Sequence, residues 1–140
     1  MSRCRQRPIK VLLADDDSRF RGVLRGVIEL TPGFTLVAEV PCGEDAFVPV
    51  ALLRPDLVLM DMRMPGIGGL ATARMLVDRY PDLAVVIMSA QEIPGPSEIA
   101  FPGPRIAFAR KEDLCPGFFR DLWRGRPTGS GPKWEGLQRW

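Results

Sequence analysis

Five polar residues of this 140-residue chain stand where apolar runs end, and their types could do chemistry together. Asp15 and Asp16 follow one run, Asp61 and Ser89 end two others, and Lys111 follows a fourth. Carboxylates brought close together repel one another and raise one another's pKa unless a cation joins them. Oxygen ligands without His or Cys select Mg²⁺ or a similar divalent ion, which readily shares a phosphate. These residue types therefore predict a site for Mg²⁺ and a phosphoryl group.

Asp61 is the residue that this chemistry would centre on, because it lies between the apolar run 57–60 and a Met-Pro-Gly turn. A carboxylate beside a metal ion can attack a phosphoryl group and form an acyl phosphate. The Ser89 hydroxyl and the Lys111 ammonium would then hydrogen-bond the oxygens of the product. Taken alone, each carboxylate could simply cap a turn or a helix, the serine could be an ordinary strand-end hydroxyl, and the lysine could be a solvated charge.

The elements that must position these residues alternate between strands and helices. Short apolar runs predict strands over 9–14, 34–40, 57–60, 84–88 and 105–109. Helical patterns follow Ser18, Gly43, Gly69 and Cys115, although Pro49 should kink or shorten the second helix. Such alternation predicts a parallel α/β sheet with helices on both faces. Right-handed crossovers then place the carboxyl ends of all strands on one edge, where the polar residues would meet.

Two segments depart from this regular alternation. Four prolines between residues 91 and 104 leave room for at most one helical turn, around 97–101. Residues 125–140 are rich in Gly, Pro and Ser at their start, which predicts a linker-like tail. The first eight residues hold three arginines and no apolar signal core, so we expect a short extension of a cytoplasmic protein.

Composition excludes several classes of function. The chain has no histidine, which rules out a histidine triad, a histidine metal site and a histidine phosphodonor. Three cysteines without CxxC spacing argue against a disulfide framework or a zinc site. A net charge of +2 gives no indication of nucleic-acid binding, and no apolar run approaches the roughly 20 residues of a membrane span.

The order of these motifs resembles the receiver domain of two-component response regulators. The resemblance rests on Val-Leu-Leu-Ala-Asp15-Asp16-Asp17, Leu-Met-Asp61-Met-Arg63-Met-Pro, Ile-Met-Ser89-Ala and Lys111-Glu-Asp. It implies a flavodoxin-like, doubly wound sheet of five parallel strands in the order 2-1-3-4-5, with the family's fourth helix short or absent here. It also implies a receiver domain over 9–124, preceded by the extension 1–8 and followed by the tail 125–140.

The resemblance implies a role for each residue of the site. Asp61 would be the phosphoacceptor for a histidine of a sensor kinase. Asp61, Asp16 and the backbone carbonyl of Arg63 would bind Mg²⁺, and Asp15 would hold a metal-bound water. Ser89 would be the switch hydroxyl, and Lys111 would pair with the phosphoryl group. The added charge would repack the surface from the fourth strand to the family's fifth helix.

The implied partners are a sensor histidine kinase and either a second copy of the chain or a protein that receives the output, with no direct nucleic-acid or membrane binding. No helix-turn-helix follows residue 124, so the domain either stands alone or lacks its output domain.

Two alternatives stay open at this point. The first is a receiver-like interaction module with weak or vestigial phosphorylation, since the prolines of 91–104 fall where the family transmits its signal. The second is a metal-dependent phosphatase of related topology, which would want an acid two residues after its nucleophile, where this chain has Arg63. Two smaller departures from the family are Gly68, where an acid or amide is common, and Glu112, where proline is frequent.

Overall fold

The computed structural model describes residues 7–90 and 105–124 of the chain. Five parallel strands form one sheet in the order β2-β1-β3-β4-β5. The strands are β1 (Ile9–Ala14), β2 (Phe34–Val40), β3 (Leu57–Asp61), β4 (Ala84–Ser89) and β5 (Ile106–Arg110). The described helices are α1 (Ser18–Glu29), α2 (Phe47–Leu53), α3 (Gly69–Arg79) and α4 (Pro116–Arg124). The predicted flavodoxin-like fold and its strand order are confirmed.

Three of the five strands run one residue further toward the carboxyl edge than their apolar runs indicated, whereas β1 and β2 end where they were predicted to end. Asp61 and Ser89 are the last residues of β3 and β4, and β5 ends at Arg110. The ladder between β3 and β4 continues past the apolar residues, because the amide of Met62 donates to the carbonyl of Met88 at 2.8 Å. Hydrogen bonding between neighbours, rather than hydrophobicity, therefore sets where these strands end.

The helix predicted over 43–53 is shorter in the structure than the sequence pattern indicated. Residues Glu44–Ala46 form a 3₁₀ turn, and α2 begins only at Phe47. Pro49 is the third residue of α2, where a backbone amide would have no acceptor within the helix, so the ring costs little there. The expectations for 91–104, including the short or absent fourth helix, and for the tail 125–140 lie outside the described residues.

Side chains from alternate positions of the strands form two cores, one on each face of the sheet. On one face α2 and α3 contribute residues such as Val50 and Leu76. On the other face α1 and α4 contribute residues such as Leu24 and Phe119. Strands β3 and β4 are buried along their whole length, as expected for central strands covered on both faces.

Met75 is an apolar residue of α3 that lies outside the buried face of the helix. Met75 is 52% exposed, whereas Ala73 and Leu76 are buried against the sheet. Met75 precedes Leu76 and is therefore turned about 100° away from it around the helix axis. Among residues 7–90 and 105–124, each helix is too short or too polar to span a bilayer.

Candidate functional site

Three carboxylates meet at the carboxyl edge of the sheet. Asp15 and Asp16 directly follow β1, and Asp61 ends the adjacent strand β3, where Ala14 pairs with Met60. One carboxylate oxygen from each aspartate lies within 4.8 Å of the others. Asp15 is fully buried, Asp61 is 6% exposed, and Asp16 is open to solvent. The parallel topology thus creates the acidic cluster that the strand ends predicted.

Lys111 reaches this cluster from the other side of β3. It is the first residue of a 3₁₀ turn, Lys111–Asp113, which directly follows β5. Its Nζ atom lies 2.7 Å from Oδ2 of Asp15 and 3.6 Å from Oδ1 of Asp61. The ammonium therefore bridges two carboxylates and forms its shorter contact with Asp15.

Ser89 and Arg63 complete the predicted set at the same edge. Asp61 pairs in register with Met88, so Ser89 is one residue further along the neighbouring strand β4, where it is buried. The backbone amide of Arg63 points to Oδ1 of Asp61 across a long 3.5 Å hydrogen bond, and its side chain is exposed. All six predicted site residues thus lie at the carboxyl edge, and their individual roles stay predictions.

The environment of Asp61 disfavours its charge. Burial, together with the neighbouring charge of Asp15, raises the pKa of Asp61 from 3.8 to about 6. The ammonium of Lys111 and the amide of Arg63 act in the opposite direction but do not cancel the rise in pKa. A buried carboxylate held in this way gains from any further positive charge beside it.

Asp15 offers a direct test of whether the residues fit a cation. Its Oδ1 accepts the amide of Asp17 at 2.8 Å. Its Oδ2 is buried and receives no aligned hydrogen bond from the described residues, although Lys111 pairs with it electrostatically. An incompletely bonded oxygen among three carboxylates is a suitable ligand environment for Mg²⁺, which prefers oxygen donors and keeps several waters. The residues present therefore fit the metal.

Capping of α1 falls to a different aspartate. Asp17 is the N-cap, and its Oδ1 accepts the amides of Arg19 and Phe20 at 2.9 and 3.4 Å. The interpretation of the acidic run as helix-capping residues therefore holds for Asp17, whereas Asp15 and Asp16 belong to the carboxylate cluster.

Three residues near the site were not singled out by the sequence patterns. A Cβ atom on Gly69 would lie 2.1 Å from the backbone oxygen of Asp61, so only glycine allows α3 to begin this close. Glu44 accepts the amide of Ile67 at 3.1 Å and so anchors the loop after Asp61. The ring of Phe20 lies 4.4 Å from Nζ of Lys111. For Gly69, the double glycine before an apolar helix was a signal available in the sequence. The contacts of Glu44 and Phe20 depend on tertiary structure and had no such signal.

Comparison with known proteins agrees with this geometry. The family model described as "Response regulator receiver domain" matches residues 11–96. The response regulator GacA of Pseudomonas aeruginosa is 38% identical over 96 residues, which are 68% of this chain and 45% of that protein. The response regulator UvrY of Escherichia coli is also 38% identical over 96 residues, or 44% of its length. This chain therefore spans about half the length of these curated relatives.

A solved structure extends the likeness to the whole fold. The signal receiver domain of the response regulator NarL from Mycobacterium tuberculosis superposes with a TM-score of 0.72 at 26% identity, covering 86% of this chain and all of that one. The chain belongs to the response regulator receiver domain family. It is accordingly a signalling domain of the two-component type, a class whose members bind Mg²⁺ at an acidic pocket.

Proposed function

We propose that this domain is a phosphoacceptor that works in the cytoplasm. It would take a phosphoryl group from a histidine of a sensor kinase onto Asp61, in the presence of Mg²⁺, and lose it slowly by hydrolysis. The observation that carries the proposal is the convergence of Asp15, Asp16, Asp61 and Lys111, with carboxylate oxygens within 4.8 Å and the ammonium 2.7 to 3.6 Å away.

The transfer step uses Asp61 as the nucleophile. A carboxylate oxygen of Asp61 attacks phosphorus, a P–O bond forms, and the P–N bond to the kinase histidine breaks. The electron pair of that bond returns to the imidazole nitrogen, which takes up a proton. A pKa of about 6 leaves most Asp61 side chains charged near neutral pH while keeping the carboxylate weakly stabilised in its pocket. Water later attacks phosphorus, the P–O bond to Asp61 breaks, and inorganic phosphate leaves, which restores the carboxylate.

The chain's own residues prepare the charge balance for this step. Asp16, Asp61 and the carbonyl of Arg63 would hold Mg²⁺ directly, and Asp15 would hold it through a water. When bound, the ion supplies positive charge against the oxygens of the transferring group. Lys111 supplies a second positive charge, because its ammonium already lies 3.6 Å from Oδ1 of Asp61. Ser89, buried at the end of β4, would donate its hydroxyl to the same oxygens.

Phosphorylation would act as a switch because it replaces the single negative charge of a buried carboxylate with the roughly two negative charges of a phosphoryl group. Ser89 is the last residue of β4, and Lys111 directly follows β5. Their attraction toward the phosphoryl group would repack the surface that continues to α4, which follows β5 and so corresponds to the family's fifth helix. We take 9–124 as the receiver unit that makes this change. Its partners would be a sensor histidine kinase and a second copy or an output protein.

The alternative of an interaction module with vestigial phosphorylation rests on 91–104, which lies outside the described residues. Within the described residues, the complete set of site groups at one edge favours working phosphoacceptor chemistry.

Beryllofluoride, which mimics a phosphoryl group, tests the proposal without a kinase. We expect Mg²⁺ with beryllofluoride to raise the melting temperature of the wild type, because both bind only the folded site. Asp61→Asn should abolish this rise, whereas Asp82→Asn, a surface control, should keep it. The absence of a rise in the wild type, or an equal rise in Asp61→Asn, would contradict the proposed function.

A further inference from the structure

Phe20 is an aromatic residue beside the site to which the phosphoacceptor chemistry assigns no role. It is the third residue of α1, and its backbone amide is held by the Asp17 cap at 3.4 Å. Its partly buried ring packs against the core formed by α1, α4 and the sheet. Its ring centroid lies 4.4 Å from Nζ of Lys111. The cap thus holds the backbone of Phe20, while its ring packs against the core and also contacts the lysine.

This contact matters because Lys111 has a long side chain. Lysine loses considerable rotamer freedom when its ammonium is held in one place. An ammonium within about 6 Å of a ring centroid is attracted by the negative face of the ring. The side chain of Lys111 is only 14% exposed, so water screens this attraction less than on an open surface. The ring therefore opposes an outward swing of the lysine.

The contact also differs in kind from the ion pairs of Lys111. Asp15 and Asp61 are the groups with which Mg²⁺ and a phosphoryl group would interact, so their hold on the ammonium changes whenever the site is loaded. Phe20 is neutral and cannot bind either ligand. Its attraction for Lys111 therefore does not depend on the charge of either carboxylate.

We propose that Phe20 is a positioning residue that keeps Lys111 over the site while its carboxylate partners change. The inference rests on the proposed function, because it concerns the lysine that would receive the phosphoryl oxygens. It goes beyond that function by assigning part of the lysine's placement to a ring on α1. A ring that merely filled space would be replaceable by any apolar side chain of similar size.

The test separates the electrostatics of the ring from its volume. Position 20 is changed to Leu and, in a second series, to phenylalanines with one, two, three and five ring fluorines, which progressively weaken the negative face. Phe47, a partly buried aromatic in the opposite core, receives the same substitutions as a matched control. Calorimetry measures the affinity for Mg²⁺ alone and then, with Mg²⁺ saturating, for beryllofluoride.

We expect beryllofluoride affinity to fall stepwise with fluorination at position 20, by about three- to tenfold across the series, since removal of a cation–π contact has that size. Phe20→Leu should show a loss similar to that of the last member. Affinity for Mg²⁺ alone should not fall, because a loosened Lys111 competes less for Asp15. The Phe47 series should leave both affinities unchanged.

Two results would overturn the inference. The first is a wild type that binds beryllofluoride with a flat fluorination series at position 20, which would leave the proposed function intact. The second is a parallel loss of Mg²⁺ and beryllofluoride affinity, which would mark Phe20 as structural only. A wild type that binds no beryllofluoride would instead contradict the proposed function, and the inference with it.

Discussion

Strand β3 has a carboxylate at each end, and the two have opposite environments. Asp56, just before the strand, accepts Nη2 of Arg7 at 2.7 Å and the backbone amide of Lys10 at 2.9 Å. Asp61, its last residue, is buried beside Asp15, with Lys111 at 3.6 Å and one long hydrogen bond from Arg63. Asp56 is thus neutralised and well bonded, whereas Asp61 lies where negative charge exceeds positive charge.

The difference separates a residue that supports the fold from one prepared for chemistry. The Asp56 interactions tie the start of β3 to β1, since Asp56 also donates its own amide to the carbonyl of Lys10 at 2.8 Å. The Asp61 environment works against the folded state, because a buried charge near a like charge is unfavourable. Such a group becomes favourable only when a cation or a new covalent partner changes its charge. The comparison predicts opposite responses at the two ends.

The largest change in stability should come from a steric clash at the carboxyl end of β3. Gly69→Ala places a Cβ atom 2.1 Å from the backbone oxygen of Asp61, so α3 or β3 must shift. We expect the free energy of unfolding to fall by about 3 kcal/mol or more, as measured by urea denaturation. Gly26→Ala is the control, because it adds a Cβ in open space within α1 and should stabilise by about 0.5–1 kcal/mol. Equal effects of the two substitutions would contradict this packing.

Replacing each of the two carboxylates by a neutral amide should change the free energy of unfolding in opposite directions. At pH 7 without Mg²⁺, Asp61→Asn should raise the free energy of unfolding by about 1–3 kcal/mol, because it removes a charge that burial disfavours. Asp56→Asn should lower it by about 1–2 kcal/mol, because it removes the charge from two hydrogen bonds. Chemical denaturation measures both, and a loss of stability in Asp61→Asn would contradict the electrostatic account.

The dependence on pH sharpens this contrast. The pKa of Asp61 is raised in the folded state from 3.8 to about 6, so the folded protein binds its proton more tightly than the unfolded chain. Its contribution to stability is fully present below pH 3.8 and is lost as the pH rises through about 6. The advantage of Asp61→Asn over the wild type should therefore grow between these values and level off above them. An advantage that is constant with pH would show that the charge is not its cause.

The smallest change in stability should come from replacing Arg7, the cation that pairs with Asp56 at the start of β3. Arg7 is 72% exposed in its side chain, so its bidentate pair with Asp56 is largely screened. We expect Arg7→Gln to lower the free energy of unfolding by less than about 1 kcal/mol, and by even less at high salt. A large, salt-independent loss would show that this pair is as important to the fold as the buried contacts at the other end.

Much of the fold and the grouping of polar residues at one sheet edge followed from the sequence because local patterns determined them. The buried runs of β3 and β4 could hardly be anything but central strands, and parallel topology then placed Asp15, Asp61 and Lys111 on one edge. The exact ends of the strands depended on hydrogen bonds between neighbours, as at Met62. The contacts of Phe20 and Glu44 join segments far apart in sequence, and no local pattern encodes them. The raised pKa of Asp61 depends chiefly on burial, which a sequence does not display.

The most direct test of the central claim is to locate a phosphoryl group on Asp61. The wild-type protein is incubated with acetyl phosphate and Mg²⁺, the acyl phosphate is reduced with borohydride, and the digested peptides are sequenced by mass spectrometry. The account predicts modification at residue 61 that requires Mg²⁺, disappears in Asp61→Asn and persists in Asp56→Asn. Lack of modification in the wild type, or modification at another aspartate, would contradict it.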